Sequence, residues 1–136
     1  MKSLPELALF AMILMAASTA TAQQTPVAAA PAEAKRTILE RHDQSGVDGK
    51  EIVLGSAELP PGATIGWHVH PGDESSYLIR GTTTLKVRGQ PDRLLKAGDH
   101  FFIPRGTVHS VTSADGATAV SSWILDKGKP LAEPVK

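Results

Sequence analysis

The sequence predicts an all-β domain, built as a sandwich or a barrel. Three observations carry that expectation. Beyond residue 36 the chain falls into short stretches, several rich in β-branched or aromatic residues; clusters of Gly and Pro separate them; and no stretch there keeps a helical period over three turns. Strands are expected at 38–42, 52–59, 64–70, 76–80, 83–87, 93–96, 100–103, 108–112 and 120–125. The turns between them include Pro60-Pro61-Gly62, Pro71-Gly72-Asp73, residues 88–92, Ala97-Gly98-Asp99 and Ala114-Asp115-Gly116. Gly62 follows two prolines and Gly81 closes a strand ahead of a hairpin, so both are expected to need positive φ.

The chain ends read differently. Residues 1–6 include Lys2, residues 7–17 are wholly apolar, and Ala20-Thr21-Ala22 fits a small-residue cleavage site. This is the layout of a secretory signal peptide over 1–22. Its apolar run of 11 residues is shorter than the roughly 20 that cross a bilayer. Export is therefore expected, to the periplasm or beyond, with no membrane attachment after cleavage. Residues 23–36, rich in Ala and Pro, are expected to form a flexible linker. The domain is then 37–126, followed by an irregular tail at 127–136 that carries Pro130 and Pro134.

A chain of 136 residues fits one domain of this kind. Its net charge of zero gives no bulk attraction to nucleic acid or to an anionic membrane. The absence of cysteine excludes disulfides and thiolate metal ligands. A domain of this size buries a core without a metal or disulfide staple, so any metal is expected to serve function.

Chemistry concentrates between Gly62 and Glu74. Strand side chains alternate faces, so His68 and His70, two apart, point the same way. Pro71-Gly72-Asp73 turns the chain, and Glu74 follows where the next strand is expected to begin, placed to reach back toward the two imidazoles. His109 lies in a second short segment. Three neutral imidazoles and a carboxylate make a mixed nitrogen and oxygen set suited to one divalent transition metal ion: Fe, Mn, Ni, Cu or Zn.

These residues sit in two spaced motifs. Gly62, His68, His70, Glu74 and Gly81 fill every fixed position of G-x5-H-x-H-x3,4-E-x6-G. Gly98, Pro104, Gly106 and His109 fill G-x5-P-x-G-x2-H-x3-N, except that Ser113 stands at the asparagine position. Over residues 38–125 the chain thus resembles the cupin superfamily, in particular its small single-domain members, which are likened to quercetin dioxygenases. The resemblance implies a double-stranded β-helix, or jelly roll, with His68, His70, Glu74 and His109 pointing into the barrel. It also implies pairing through sheet edges, so a homodimer is expected, with Trp67 or Trp123 as possible anchors. The family hosts many reactions, and fold does not fix which. A metal-dependent oxygenase acting on a small organic molecule is the leading expectation, with Glu74 doubling as a base. A redox-neutral isomerase, lyase or decarboxylase is the first alternative, and a non-enzymatic binder of a metal or small ligand the second.

Other residues carry weaker expectations. Trp67 and Val69 alternate with the histidines and should face away from the metal. His100 and Phe102 share one face of a strand while Phe101 and Ile103 share the other; a surface or structural His100 is favoured over one near the metal. Tyr77, the only tyrosine, is expected in the core with its hydroxyl bonded, the alternative being a place lining the pocket. Arg80 and Arg105 are expected to be solvated charges, and His42 exposed.

Overall fold

The structure is a computed structural model that describes residues 32–136. The expected signal peptide, and the expected linker as far as residue 31, lie outside the described residues. Nine strands follow: β1 (Lys35–Asp43), β2 (Lys50–Leu59), β3 (Thr64–Val69), β4 (Gly72–Val87), β5 (Arg93–Lys96), β6 (His100–Ile103), β7 (His109–Thr112), β8 (Ala117–Asp126) and β9 (Glu133–Pro134). All pairings among them are antiparallel. The first half of β4 lies in one sheet, ordered β1-β2-β8-β4-β6, and its second half in another, ordered β5-β4-β7-β3-β9. The two sheets close on a shared core that includes Leu59, Leu78, Phe101 and Ile103 from the first and Leu85, Leu95 and Val111 from the second. This is the all-β jelly roll expected from the sequence.

Alternation decides what the core contains. Along β2 the inward residues are Glu51, Val53, Gly55, Ala57 and Leu59; along β8 they are Ala117, Ala119, Ser121, Trp123 and Leu125. Register aligns them in rows with β4: Val53–Trp123–Glu74, Gly55–Ser121–Ser76 and Ala57–Ala119–Leu78. The Gly55–Ser121–Ser76 row holds only small side chains and the next adds Ala57 and Ala119, and small side chains leave space between facing sheets. A cavity of about 30 Å³ occupies that space, lined by residues of both sheets.

Four expectations need correction. The strands expected at 76–80 and 83–87 are one strand of 16 residues, β4, and Gly81 does not precede a hairpin. The strand crosses from one sheet to the other there, with a register shift between Leu78 and Arg80. Gly81 takes φ +80°, and a Cβ on it would sit 2.0 Å from the Gly116 carbonyl oxygen, so the bend needs glycine for both reasons. Gly62 does adopt positive φ, at 79°. The tail is not wholly irregular, because β9 pairs with β3 at His68 and Val69. Tyr77 is half exposed rather than in the core: Glu74, Ser76 and Leu78 face inward, so the odd position faces out, opposite His100. Trp123 is 2% exposed and packs inside the barrel with Val53 and Leu125, so it cannot anchor an interface. Trp67, 38% exposed beneath Arg88, remains outside.

Candidate metal centre

His68 and His109 are direct cross-strand partners on β3 and β7, their ring centroids 4.2 Å apart. His70 lies one residue past the end of β3, and Glu74 faces the three imidazoles from the first half of β4. The histidines are buried, and their ligand-capable atoms all lie within 4.8 Å of one another. Glu74 Oε2 is 2.8 Å from His70 Nε2 and 3.3 Å from His109 Nε2. The four residues singled out in the sequence thus come together in one place.

The hydrogen bonds around the cluster set its chemistry. Every Nδ1 approaches a backbone carbonyl: His68 to Gly66 at 2.7 Å, His70 to Leu131 at 2.6 Å and His109 to Thr107 at 2.9 Å. A carbonyl only accepts, so each Nδ1 carries the hydrogen and a neutral ring presents a lone pair at Nε2. Ring orientation fixed through the far nitrogen is how ligating histidines are held. The Ser76 hydroxyl donates to Glu74 Oε1 at 2.5 Å and lies 2.5 Å from Ser121 Oγ, which fixes the carboxylate in the same way. His70 Nε2 and Glu74 Oε2, although 2.8 Å apart, are both buried without a directed hydrogen bond. Facing lone pairs at that distance repel unless a cation lies between them, and buried unpaired polar atoms are costly. The donor set therefore fits a divalent metal ion.

Charge reinforces this. Burial pushes the His68 imidazole down to about 4, aided by His109, His70 and Arg36 and opposed by the Gly66 carbonyl, so the ring is neutral and able to ligate near pH 7.

The remaining candidates lie elsewhere. His100 and Phe102 point outward beside Tyr77, while Phe101 and Ile103 point into the barrel. Arg80 is exposed and donates to Thr118 Oγ1. Arg105 is exposed but paired with Asp126, whose carboxyl is held well below its usual range by that contact and by Lys50. Ser113 is fully buried and donates to the Thr82 carbonyl at 2.7 Å, so it ties β4 to the β7 end where the motif has asparagine. Sequence reasoning missed Ser76, Ser121, Leu131 and Arg36. Ser76 carried a signal, being two residues from Glu74 on the same face; the Leu131 carbonyl carried none.

The cupin domain profile matches residues 55–125, a span that includes all four converging residues. The chain belongs to the cupin family. This cupin is 31% identical over 104 residues to the tetracenomycin polyketide synthase protein TcmJ of Streptomyces glaucescens, covering 68% of this chain and 69% of that one. It is 33% identical over 57 residues to the dimethylsulfoniopropionate lyase DddQ of Ruegeria pomeroyi, covering 42% of this chain and only 28% of the lyase. The crystal structure of that lyase aligns with a TM-score of 0.63 at 23% identity, over 75% of this chain and 51% of that chain. A cupin-like protein from Thermotoga maritima aligns with a TM-score of 0.60 at 28% identity, over 75% of each chain.

Proposed function

We propose that this cupin binds one divalent transition metal through His68, His70 and His109 Nε2 and Glu74 Oε2, and uses it as an oxygenase on a small organic molecule. The observation that carries the metal assignment is the unpaired meeting of His70 Nε2 and Glu74 Oε2 while every Nδ1 is tied to a carbonyl. A redox-active ion held there would supply Lewis acidity and a path for electrons from the substrate to dioxygen. Ser76 keeps Oε1 occupied, so that Oε2 is the oxygen of Glu74 left to the ion. Leu59, Ile65, Leu78, Phe101 and Val111 exclude water from the opposite walls. The cavity's 30 Å³ limits the substrate to a small molecule.

A second reading, redox-neutral elimination or isomerisation, is supported by the likeness to a protein named as a lyase. Elemental analysis of protein purified from its native compartment, followed by oxygen-electrode assays, separates the two. Iron, copper or manganese with substrate-dependent oxygen uptake supports the oxygenase; zinc with turnover and no oxygen uptake supports the second reading. A chain that holds no metal and takes up none overturns both.

The secretory layout of residues 1–22 supports export, which N-terminal sequencing of the native protein tests. The outward apolar residues Tyr77, Ile79, Phe102 and Ile124, together with Trp67, support a homodimer, which sedimentation tests.

A further inference from the structure

Arg36 lies outside the span that matches the family, at the start of edge strand β1. Its register partner is Ala57, an inward residue, so its side chain enters the barrel. The guanidinium sits 5.9 Å above the Trp123 ring and lines the same cavity as His68, Glu74 and His109. Among the described residues no carboxylate lies within 4.0 Å of it. An aromatic face and partial burial make it a poorly hydrated cation, which is a strong partner for an anion. Ile65, Phe101 and Trp123 line the same cavity, and the buried Trp123 Nε1 has no hydrogen-bond partner.

We propose that Arg36 is the anion-recognition group of this cavity, so that the site takes a small organic acid: the carboxylate on the guanidinium, and a second oxygen donor directed at the histidine and glutamate cluster. The fork of a guanidinium matches the two oxygens of a carboxylate, which fixes the acid's orientation as well as its charge. At roughly 10–15 Å³ for each water-sized position, the cavity has room for only two or three such positions, which favours the smallest acids. The inference rests on the metal assignment for the second anchor and not for the first.

The test compares glycolate with its uncharged amide, glycolamide, by calorimetric titration of metal-loaded protein and of the variants Arg36→Gln and Arg36→Lys. Zinc or cobalt content and circular dichroism are recorded for each. The wild-type protein should bind glycolate at least tenfold more tightly than glycolamide. Arg36→Gln should lose that preference while keeping its metal content and fold, and Arg36→Lys should restore part of it. Equal affinities of the wild-type protein for acid and amide, no binding of either, or an Arg36→Gln variant that keeps the preference would each overturn the proposal. If Arg36→Gln does not fold, the Arg36→Lys variant decides: an undiminished preference for the acid sinks the assignment of a fork-shaped contact. Should the protein bind glycolate through Arg36 yet hold no metal, the metal assignment fails and the anion site stands.

Discussion

Replacing Ser76 by alanine removes the hydroxyl that orients Glu74. Ser76 is 4% exposed and its Oγ lies 2.5 Å from both Glu74 Oε1 and Ser121 Oγ, so no water can take its place without rearrangement. A hydrogen bond to a charged, buried group contributes about 1.5–3 kcal/mol. Outer partners of metal ligands are worth about 10–100-fold in affinity, which is about 1.4–2.8 kcal/mol, so the two scales agree. Ser76→Ala should therefore raise the dissociation constant for zinc or cobalt by about 10–100-fold. Ser121 reaches Glu74 only through Ser76, so Ser121→Ala should cost less than about tenfold, and the double variant should resemble Ser76→Ala alone. The assay is competition against a chelating dye near neutral pH, with circular dichroism to confirm the fold. Metal affinity of a folded Ser76→Ala protein within about twofold of wild type would refute the reasoning.

Removing residues 128–136 takes away β9 and the Leu131 carbonyl that holds His70; the truncated protein should keep its barrel by circular dichroism and lose metal affinity by about 10–100-fold in the same competition assay. Acid should destabilise the protein in the presence of a chelator. The His68 pKa is depressed in the fold, from 6.5 to about 4, so the unfolded chain binds the extra proton and stability falls as pH drops through that window. His68→Gln should flatten the loss between pH 6.5 and 4 in thermal unfolding. Gly81→Ala should prevent folding or cost more than about 3 kcal/mol, because positive φ and a blocked Cβ position act together, whereas Gly66→Ala, with open space around it, should change stability by less than about 1 kcal/mol in urea titration.

The cluster of three histidines and Glu74 was legible because it depends on local rules. Alternation put His68 and His70 on one face, and motif spacing supplied Glu74 and His109. The strands were legible for the same reason, except where tertiary structure overrides local signals. Gly81 reads as the end of a strand, yet close packing against Gly116 turns it into a bend inside β4. Tyr77 was misplaced because its chemistry was weighed without its parity relative to Glu74, which already assigns it to the outer face. Arg36 was hidden in a segment whose composition reads as linker, and only its pairing with Ala57 brings it into the barrel. The Leu131 contact is made by a backbone carbonyl, which no side-chain pattern encodes.

The most direct test of the central claim is X-ray absorption spectroscopy of the natively purified protein, beside elemental analysis and the variant His109→Ala. The account predicts one first-row transition metal per chain, bound by three imidazole nitrogens and a carboxylate oxygen, with one imidazole lost in the variant. A metal bound by fewer than three imidazoles, a spectrum unchanged by His109→Ala, or a chain that neither carries nor takes up a metal would contradict it.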